Sequence, residues 1–231
     1  MESAAGFTLD GVSKRFARGG EEVVVFDRMD LALGHGDFVA LMGPSGSGKS
    51  TLLNLLAGID RPDGGSIAFD GVRIDTMSNA ALSAWRAHHV GFVFQSYNLL
   101  PMLSAERNVE LPLTLTRLGA AERRRRVALA LDLVGVAACA RRRPAQLSGG
   151  QQQRVAIARA IVADARVLLC DEPTGNLDRA ASGEVLALLQ TLNQELGKTI
   201  VMVTHDQRAA DAAARVMHLD KGHFVDAAAH A

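Results

Sequence analysis

An α/β fold organised on a mostly parallel sheet is the class this sequence predicts, and three observations predict it. Four apolar runs of strand length, Phe38–Met42, Val90–Phe94, Ala165–Cys170 and Thr199–Val203, are separated by stretches in which apolar residues recur at helical spacing. Each run ends on polar or glycine-rich chemistry: Gly43 onward, Gln95, Asp171-Glu172 and Thr204-His205. Such strand ends are where an open α/β sheet places its ligand. Finally, 231 residues with 48% apolar side chains are ample for the buried core of one large domain or two small lobes.

Charge and composition exclude several classes. Lys plus Arg and Asp plus Glu number 25 each, which gives no basic footprint for nucleic acid. The first residues form no basic-then-apolar leader, and Asp132 keeps the longest apolar stretch below the ~18 residues of a membrane span. These features read as a soluble cytosolic chain whose membrane part, if it has one, belongs to another polypeptide. Two cysteines cannot build a disulfide framework, and Cys170, inside an apolar strand, reads as an inert reduced thiol.

From Phe7 to Val39 the pattern gives short strands, Phe7–Leu9, Glu22–Phe26 and Met29–Leu33, with turns at Gly19-Gly20 and His35-Gly36. Phe16 has two readings here. Its ring stacks on a nucleotide base, an interaction of about 1–3 kcal/mol, or it packs within a small sheet. After Phe38–Met42, residues Gly43, Pro44, Ser45, Gly46, Ser47, Gly48, Lys49, Ser50 and Thr51 spell G-x-x-x-x-G-K-[ST]. A strand, a glycine-rich turn and a helix start place backbone N–H groups around one anion, aided by the helix dipole. Lys49 reaches β- and γ-phosphates and the Ser50 hydroxyl holds Mg²⁺ in such a loop. The following helix runs to Ala57 with Leu52, Leu53, Leu55 and Leu56 inward and Gly58 as C-cap.

Ser66–Phe69 and Val72–Ile74 read as a hairpin turning at Asp70-Gly71, and Ser78 caps a short helix through Ala87. His88 and His89 have no acidic or cysteine neighbours suited to a metal. Ser104 to Arg143 is predominantly helical, with Arg123–Arg126 and Arg141–Arg143 as dense basic runs. They read as a solvated helix face and C-terminal cations, or alternatively as a contact for anionic lipid or a partner loop. Ser148 and Gln151 form a capping box that opens a helix through Ile161. Gly149 and Gly150 in that first turn cost roughly 1 kcal/mol each against alanine, which suggests that its N–H groups approach a second anion. Asp171 is suited to a Mg²⁺ shell and Glu172 to orienting or deprotonating water. The next helix, through Leu196, turns Leu186, Leu188, Leu189 and Leu192 inward. His205 at a parallel strand end suits donation to a γ-phosphate. Val216–Leu219 and His223–Val225 close as a hairpin at Lys221-Gly222, and Ala227–Ala231 reads as a frayed tail.

Taken in order, Phe16, Gly43–Thr51, Gln95, Leu147–Gln151, Leu168–Glu172, Asp178 and His205 resemble the nucleotide-binding subunit of an ATP-binding cassette (ABC) transporter. The Leu-Ser-Gly-Gly-Gln stretch carries most of that specificity. The resemblance implies a P-loop NTPase core with a mostly parallel sheet, a small N-terminal antiparallel β subdomain and an inserted α-helical subdomain. It places the core and β subdomain in residues 1–95 and 164–231, and the helical subdomain in 96–163. It further implies a head-to-tail homodimer around two ATP. In that dimer Ser148, Gly149, Gly150, Gln151 and Asp178 of one copy face the ATP held by Gly43–Thr51 of the other. Catalysis falls to Glu172, His205 and Gln95, and Mg²⁺ to Ser50, Gln95 and Asp171. Residues Phe94–Pro101, Asn108–Pro112 and Gly175–Asp178 look like the lipoprotein-release and macrolide-export class. That class implies an integral membrane permease as partner, no nucleic acid, and a cytoplasmic position on the inner face of the cell membrane. A chain ending soon after His205 implies no extra C-terminal regulatory domain. Phe16 in place of the usual tyrosine, Arg107 in place of a common glutamate and Gln152 in place of a frequent glutamate depart from the pattern. Two other classes compete: a soluble or cell-division ABC ATPase without transport, and a small-molecule kinase. The kinase leaves Ser148–Gln151 unexplained.

Overall fold

The computed structural model describes residues 6–18 and 21–225; the Gly19-Gly20 turn and the Ala227–Ala231 tail lie outside the described residues. In chain order the strands are β1 (Gly6–Arg18), β2 (Glu21–Gly34), β3 (Phe38–Met42), β4 (Gly64–Phe69), β5 (Val72–Arg73), β6 (Val90–Phe94), β7 (Val167–Asp171), β8 (Thr199–Val203), β9 (Arg215–Asp220) and β10 (His223–Val225). The helices are α1 (Lys49–Leu56), α2 (Asn79–His89), α3 (Ala105–Glu110), α4 (Ala120–Leu133), α5 (Gly149–Ile161), α6 (Arg179–Gln194) and α7 (Gln207–Ala210). They fall into two compact units, Met1–Arg86 with Thr199–Ala231, and Ala87–Lys198.

In the first unit β3 lies between two parallel neighbours, with Leu41 opposite Val203 of β8 and Met217 of β9. Phe38 to Leu41 and all of β8 are buried, as strands covered on both faces must be. Helix α1 is only eight residues long and would be marginal alone. Its four buried leucines, at about 1.5–3 kcal/mol each, hold it to the core. The hairpins β4-β5 and β9-β10 pair Phe69 with Val72 and Asp220 with His223. Asp70-Gly71 and Lys221-Gly222 both have positive φ, the pattern of a two-residue type I′ turn, as those dipeptides predict.

The second sheet of this unit, antiparallel and ordered β2-β1-β4-β5, corrects the expectation of short N-terminal strands. β1 and β2 are 13 and 14 residues long and pair along their length with bulges. The buried set is Phe7, Leu9 and Val12 on β1, against Phe26, Met29, Leu31 and Leu33 on β2. Each set skips once by three residues instead of two. The skips flank the Val12–Met29 pair, the one on β1 lying between Leu9 and Val12 and the one on β2 between Phe26 and Met29. An extra residue on each strand restores the inward phase, so one long strand reads in sequence as two fragments.

In the second unit β6 and β7 are parallel, with Phe94 opposite Asp171. Helix α5 is buried on most of its surface, from Val155 to Ala158 and again at Ala160 and Ile161. Helix α6 buries Val185, Leu189 and Leu192, a four-then-three stripe; Leu186 and Leu188, expected inward, flank that stripe and are half-exposed. The region 104–143 is helical but interrupted. Pro112 ends α3 in a 3-10 turn over Leu111–Leu115, since proline supplies no N–H, and Gly135 with φ 71° follows the end of α4. Three of the four arginines of α4 are ion-paired: Arg125 and Arg126 both reach Glu122, and Arg123 reaches Glu110. Hydrogen bonds from Arg125 and Arg126 pull the Glu122 carboxyl down from 4.5 to about 2. Arg107 also binds Glu110, at 2.6 Å, so this departure from the family pattern is built into a local Arg–Glu–Arg cluster.

Candidate nucleotide site

The phosphate loop joins β3 to α1, and its glycines are demanded by geometry. Gly43 has φ 148°, and a Cβ there would lie 2.0 Å from the Leu219 carbonyl oxygen. At Gly48, φ is 107° and a Cβ would meet the Phe26 ring at 2.9 Å. Gly48 is also the N-cap of α1 and supplies no side-chain acceptor, so no side chain caps the first turn. The Gly222 amide of the closing hairpin donates to the Ser47 carbonyl and backs the loop. Lys49 folds over the same loop, its ammonium donating to the Gly43 and Pro44 carbonyls at 2.7 and 2.8 Å. Ser47 is buried, whereas Pro44, Ser45, Gly46 and Ser50 are exposed.

The β3–β8 register carries His205 to the same edge. The Thr204 amide donates to the Leu41 carbonyl, so the residue after β8 lies beside the start of the phosphate loop, and His205 is exposed there. Phe16, on β1, is 42% exposed and therefore does not pack inside its sheet. The Lys14 ammonium sits 5.0 Å from its ring centroid and is fixed by Asp60 at 2.9 Å. One face of the ring thus meets a buried cation while the ring borders an open groove shared with Ser13, Arg15 and Asp63.

In the second unit the register of β6 and β7 brings Gln95 and Glu172 to adjacent strand ends. Glu172 has φ 50°, uncommon for a residue with a Cβ, and strain of that kind concentrates at working sites. Gln95 is tied to the loop that follows Glu172: its Nε2 donates to the Asn176 Oδ1 at 3.3 Å, and Asn176 Nδ2 donates back to the Gln95 carbonyl at 3.1 Å. At the start of α5 the capping box forms as the sequence predicts, with Gln151 N–H donating to Ser148 Oγ and Ser148 N–H to Gln151 Oε1. Ser148 remains exposed. Asp178 caps α6 through the Ala181 amide at 2.8 Å.

The glycines of α5 require a correction. Neither Gly149 nor Gly150 has positive φ. A Cβ on Gly149 would meet the Tyr97 hydroxyl at 2.9 Å, and one on Gly150 would meet Ala181 Cβ at 3.0 Å. Close packing within the chain accounts for both, so their presence alone does not require a second anion.

Sequence reasoning missed Gln153. It lies on the same face of α5 as buried Gly150 and Ile157 and is itself fully buried. Its Nε2 donates to the Phe94 carbonyl at 3.3 Å and to the Pro173 carbonyl at 2.5 Å. The signal was present, because a glutamine on an otherwise buried stripe must have hydrogen-bond partners. Arg159, further along α5, binds the Tyr97 and Asn98 carbonyls, whose residues both have positive φ.

The first unit carries a phosphate loop between strand and helix with an imidazole after a parallel strand, and the second carries amide and carboxylate groups after its own parallel strands, the components of a nucleotide-hydrolysing α/β cassette. Residues 26–175 match the family described as ABC transporter, and the chain belongs to that family. An uncharacterized ABC transporter ATP-binding protein of Bacillus subtilis, YvrO, is 45% identical over 218 residues, covering 94% of this chain and 95% of that one. The macrolide export ATP-binding/permease protein MacB of Sodalis glossinidius is 47% identical over 217 residues, 94% of this chain but 33% of MacB. The chain therefore spans about a third of the length of the MacB relatives it matches. Among solved structures, the dimeric post-hydrolysis state of the ATP-binding cassette MJ0796 with ADP and Pi matches at TM-score 0.87 and 39% identity, covering 95% of this chain and 97% of that one. The chain is an ATPase with the ABC cassette fold.

Proposed function

We propose that this chain is the motor subunit of an export-type ABC transporter, dimerising head-to-tail around two ATP and driving a separate membrane permease. The observation that carries the reading is the pairing of an uncapped phosphate-loop helix with a second helix whose cap, Ser148, is exposed. Gly43–Thr51 of one copy hold the triphosphate, with Phe16 beneath the base. Ser148–Gln151 and Asp178 of the other copy close over it. The Ser148 hydroxyl accepts from Gln151 and still has its own proton to donate to a γ-phosphate oxygen. Glu172 orients and deprotonates the attacking water, His205 donates to the γ-phosphate, and Gln95 registers its presence. Ser50, Gln95 and Asp171 offer hydroxyl, amide and carboxylate oxygens, the hard donors Mg²⁺ takes; Gln95 turns its Nε2 toward Asn176, which leaves its amide oxygen for a cation. When bound, Mg²⁺ supplies neutralisation of charge on the β- and γ-oxygens. The dimeric MJ0796 cassette supports the assembly, and the MacB names support a permease of the macrolide-export type. That partner places the chain at the inner face of the membrane, with residues 96–163 as the helical subdomain and the remainder as catalytic core and β subdomain.

Removing the water-activating carboxylate separates binding from turnover. Glu172→Gln is expected to keep ATP binding and elute as a dimer with Mg-ATP on sizing chromatography, with hydrolysis stalled. A variant that stays monomeric with Mg-ATP contradicts the reading.

A further inference from the structure

The roles assigned to Gln95 and Glu172 demand that two loops, at the ends of two different strands, stay aligned to within a fraction of an ångström. Register fixes β6 against β7 only as far as Phe94 and Asp171. Beyond those residues the chain leaves the sheet on both sides, and Glu172 does so in a strained conformation. One buried side chain ties the two exits together at the strand ends, beneath the exposed Gln95–Asn176 pair that links the same loops farther out. Gln153 donates from a single nitrogen to the carbonyl immediately before Gln95 and to the carbonyl immediately after Glu172. It is fully buried and projects from α5, a helix whose N-cap is Ser148.

We propose that Gln153 is a positioning residue for hydrolysis, a strut on α5 that fixes the backbone on either side of the catalytic pair. It touches neither nucleotide nor water. The inference rests on the reading of Gln95 and Glu172 given above. Both acceptors are backbone carbonyls, so the strut needs a donor at this position. A side chain of equal length that only accepts would push the two exits apart. Apolar neighbours on α5, Ala156 and Ile157, anchor the strut's base whatever occupies its tip.

Two substitutions in the full chain test this. Gln153→Met keeps length and volume without a donor. It is expected to fold with a melting temperature near the parent's and a KM for Mg-ATP within about twofold, while kcat falls at least about tenfold, as small misplacements of catalytic groups do. Gln153→Glu puts a carboxylate against two carbonyl oxygens at high pH. Burial raises that carboxyl's pKa, and once protonated it donates one hydrogen bond. The ratio of its kcat to the parent's is therefore expected to rise as pH falls from 8.5 to 6. Parental kcat in Gln153→Met, or a loss in Gln153→Glu that is constant with pH, overturns the proposal. Glu172→Gln is assayed in parallel. If that variant turns over normally, the underlying reading of the site has failed; if it is stalled while Gln153→Met is normal, only the strut has failed.

Discussion

Two helices of this chain begin in glycine-rich turns, and they begin differently. At α1 the N-cap is Gly48, no side chain caps the first turn, and the loop glycines are forced by positive φ and by contact with Leu219 and Phe26. At α5 the N-cap is Ser148, the capping box with Gln151 is closed, and Gly149 and Gly150 hold ordinary helical geometry against Tyr97 and Ala181. The first turn is incomplete without an anion. The second is complete without one. A glycine-rich helix start is thus evidence for a phosphate site only when its cap is missing, and the proposed role of α5 in binding rests on the exposed Ser148 hydroxyl.

Breaking the incomplete turn has the largest expected consequence. Lys49→Ala removes the cation that spans the loop and should cut ATP turnover by about 10²–10³-fold, as loss of a charge-stabilising donor does; steady-state ATPase assays measure it. Next come the glycines. Gly43→Ala is expected to destabilise by about 3 kcal/mol or more, since it combines a forbidden φ with overlap on a backbone carbonyl. Gly150→Ala should stay within about 1 kcal/mol of the parent, because alanine's helix propensity offsets crowding at Ala181. Urea unfolding of both variants checks the contrast. Equal losses would mean that the two turns are not different in kind.

Much of this was legible beforehand. The phosphate loop, the α5 capping box, the Asp70-Gly71 and Lys221-Gly222 turns and the acidic end of β7 follow from local rules that a short window of sequence contains. What was not legible depends on partners distant in sequence. The compensating bulges on β1 and β2 are visible only once Val12 is set against Met29, the pair they flank. The reason for Gly149 lies at Tyr97 and Leu177, and the reason for Gln153 at Phe94 and Pro173. Of the two sequence readings of Phe16, its 42% exposure removes the one that packs the ring inside the sheet.

The smallest effect concerns the basic run on α4. The Glu122 carboxyl, depressed from 4.5 to about 2 by Arg125 and Arg126, binds a proton less readily in the folded chain than in the unfolded one. Its contribution to stability is therefore fully present above pH 4.5 and is lost as pH falls toward 2. Glu122→Gln should flatten the acid limb of stability slightly in that window and leave ATPase activity unchanged; acid titration followed by circular dichroism measures it.

Whether Ser148 serves a nucleotide held by another copy is decided by adding Ser148→Arg to the Glu172→Gln background and measuring mass and bound ATP together by analytical ultracentrifugation. The account predicts that Glu172→Gln alone sediments as a dimer with Mg-ATP, and that the double variant sediments as a monomer that still binds ATP. A double variant that dimerises normally, or a monomer that has lost its ATP, would contradict it.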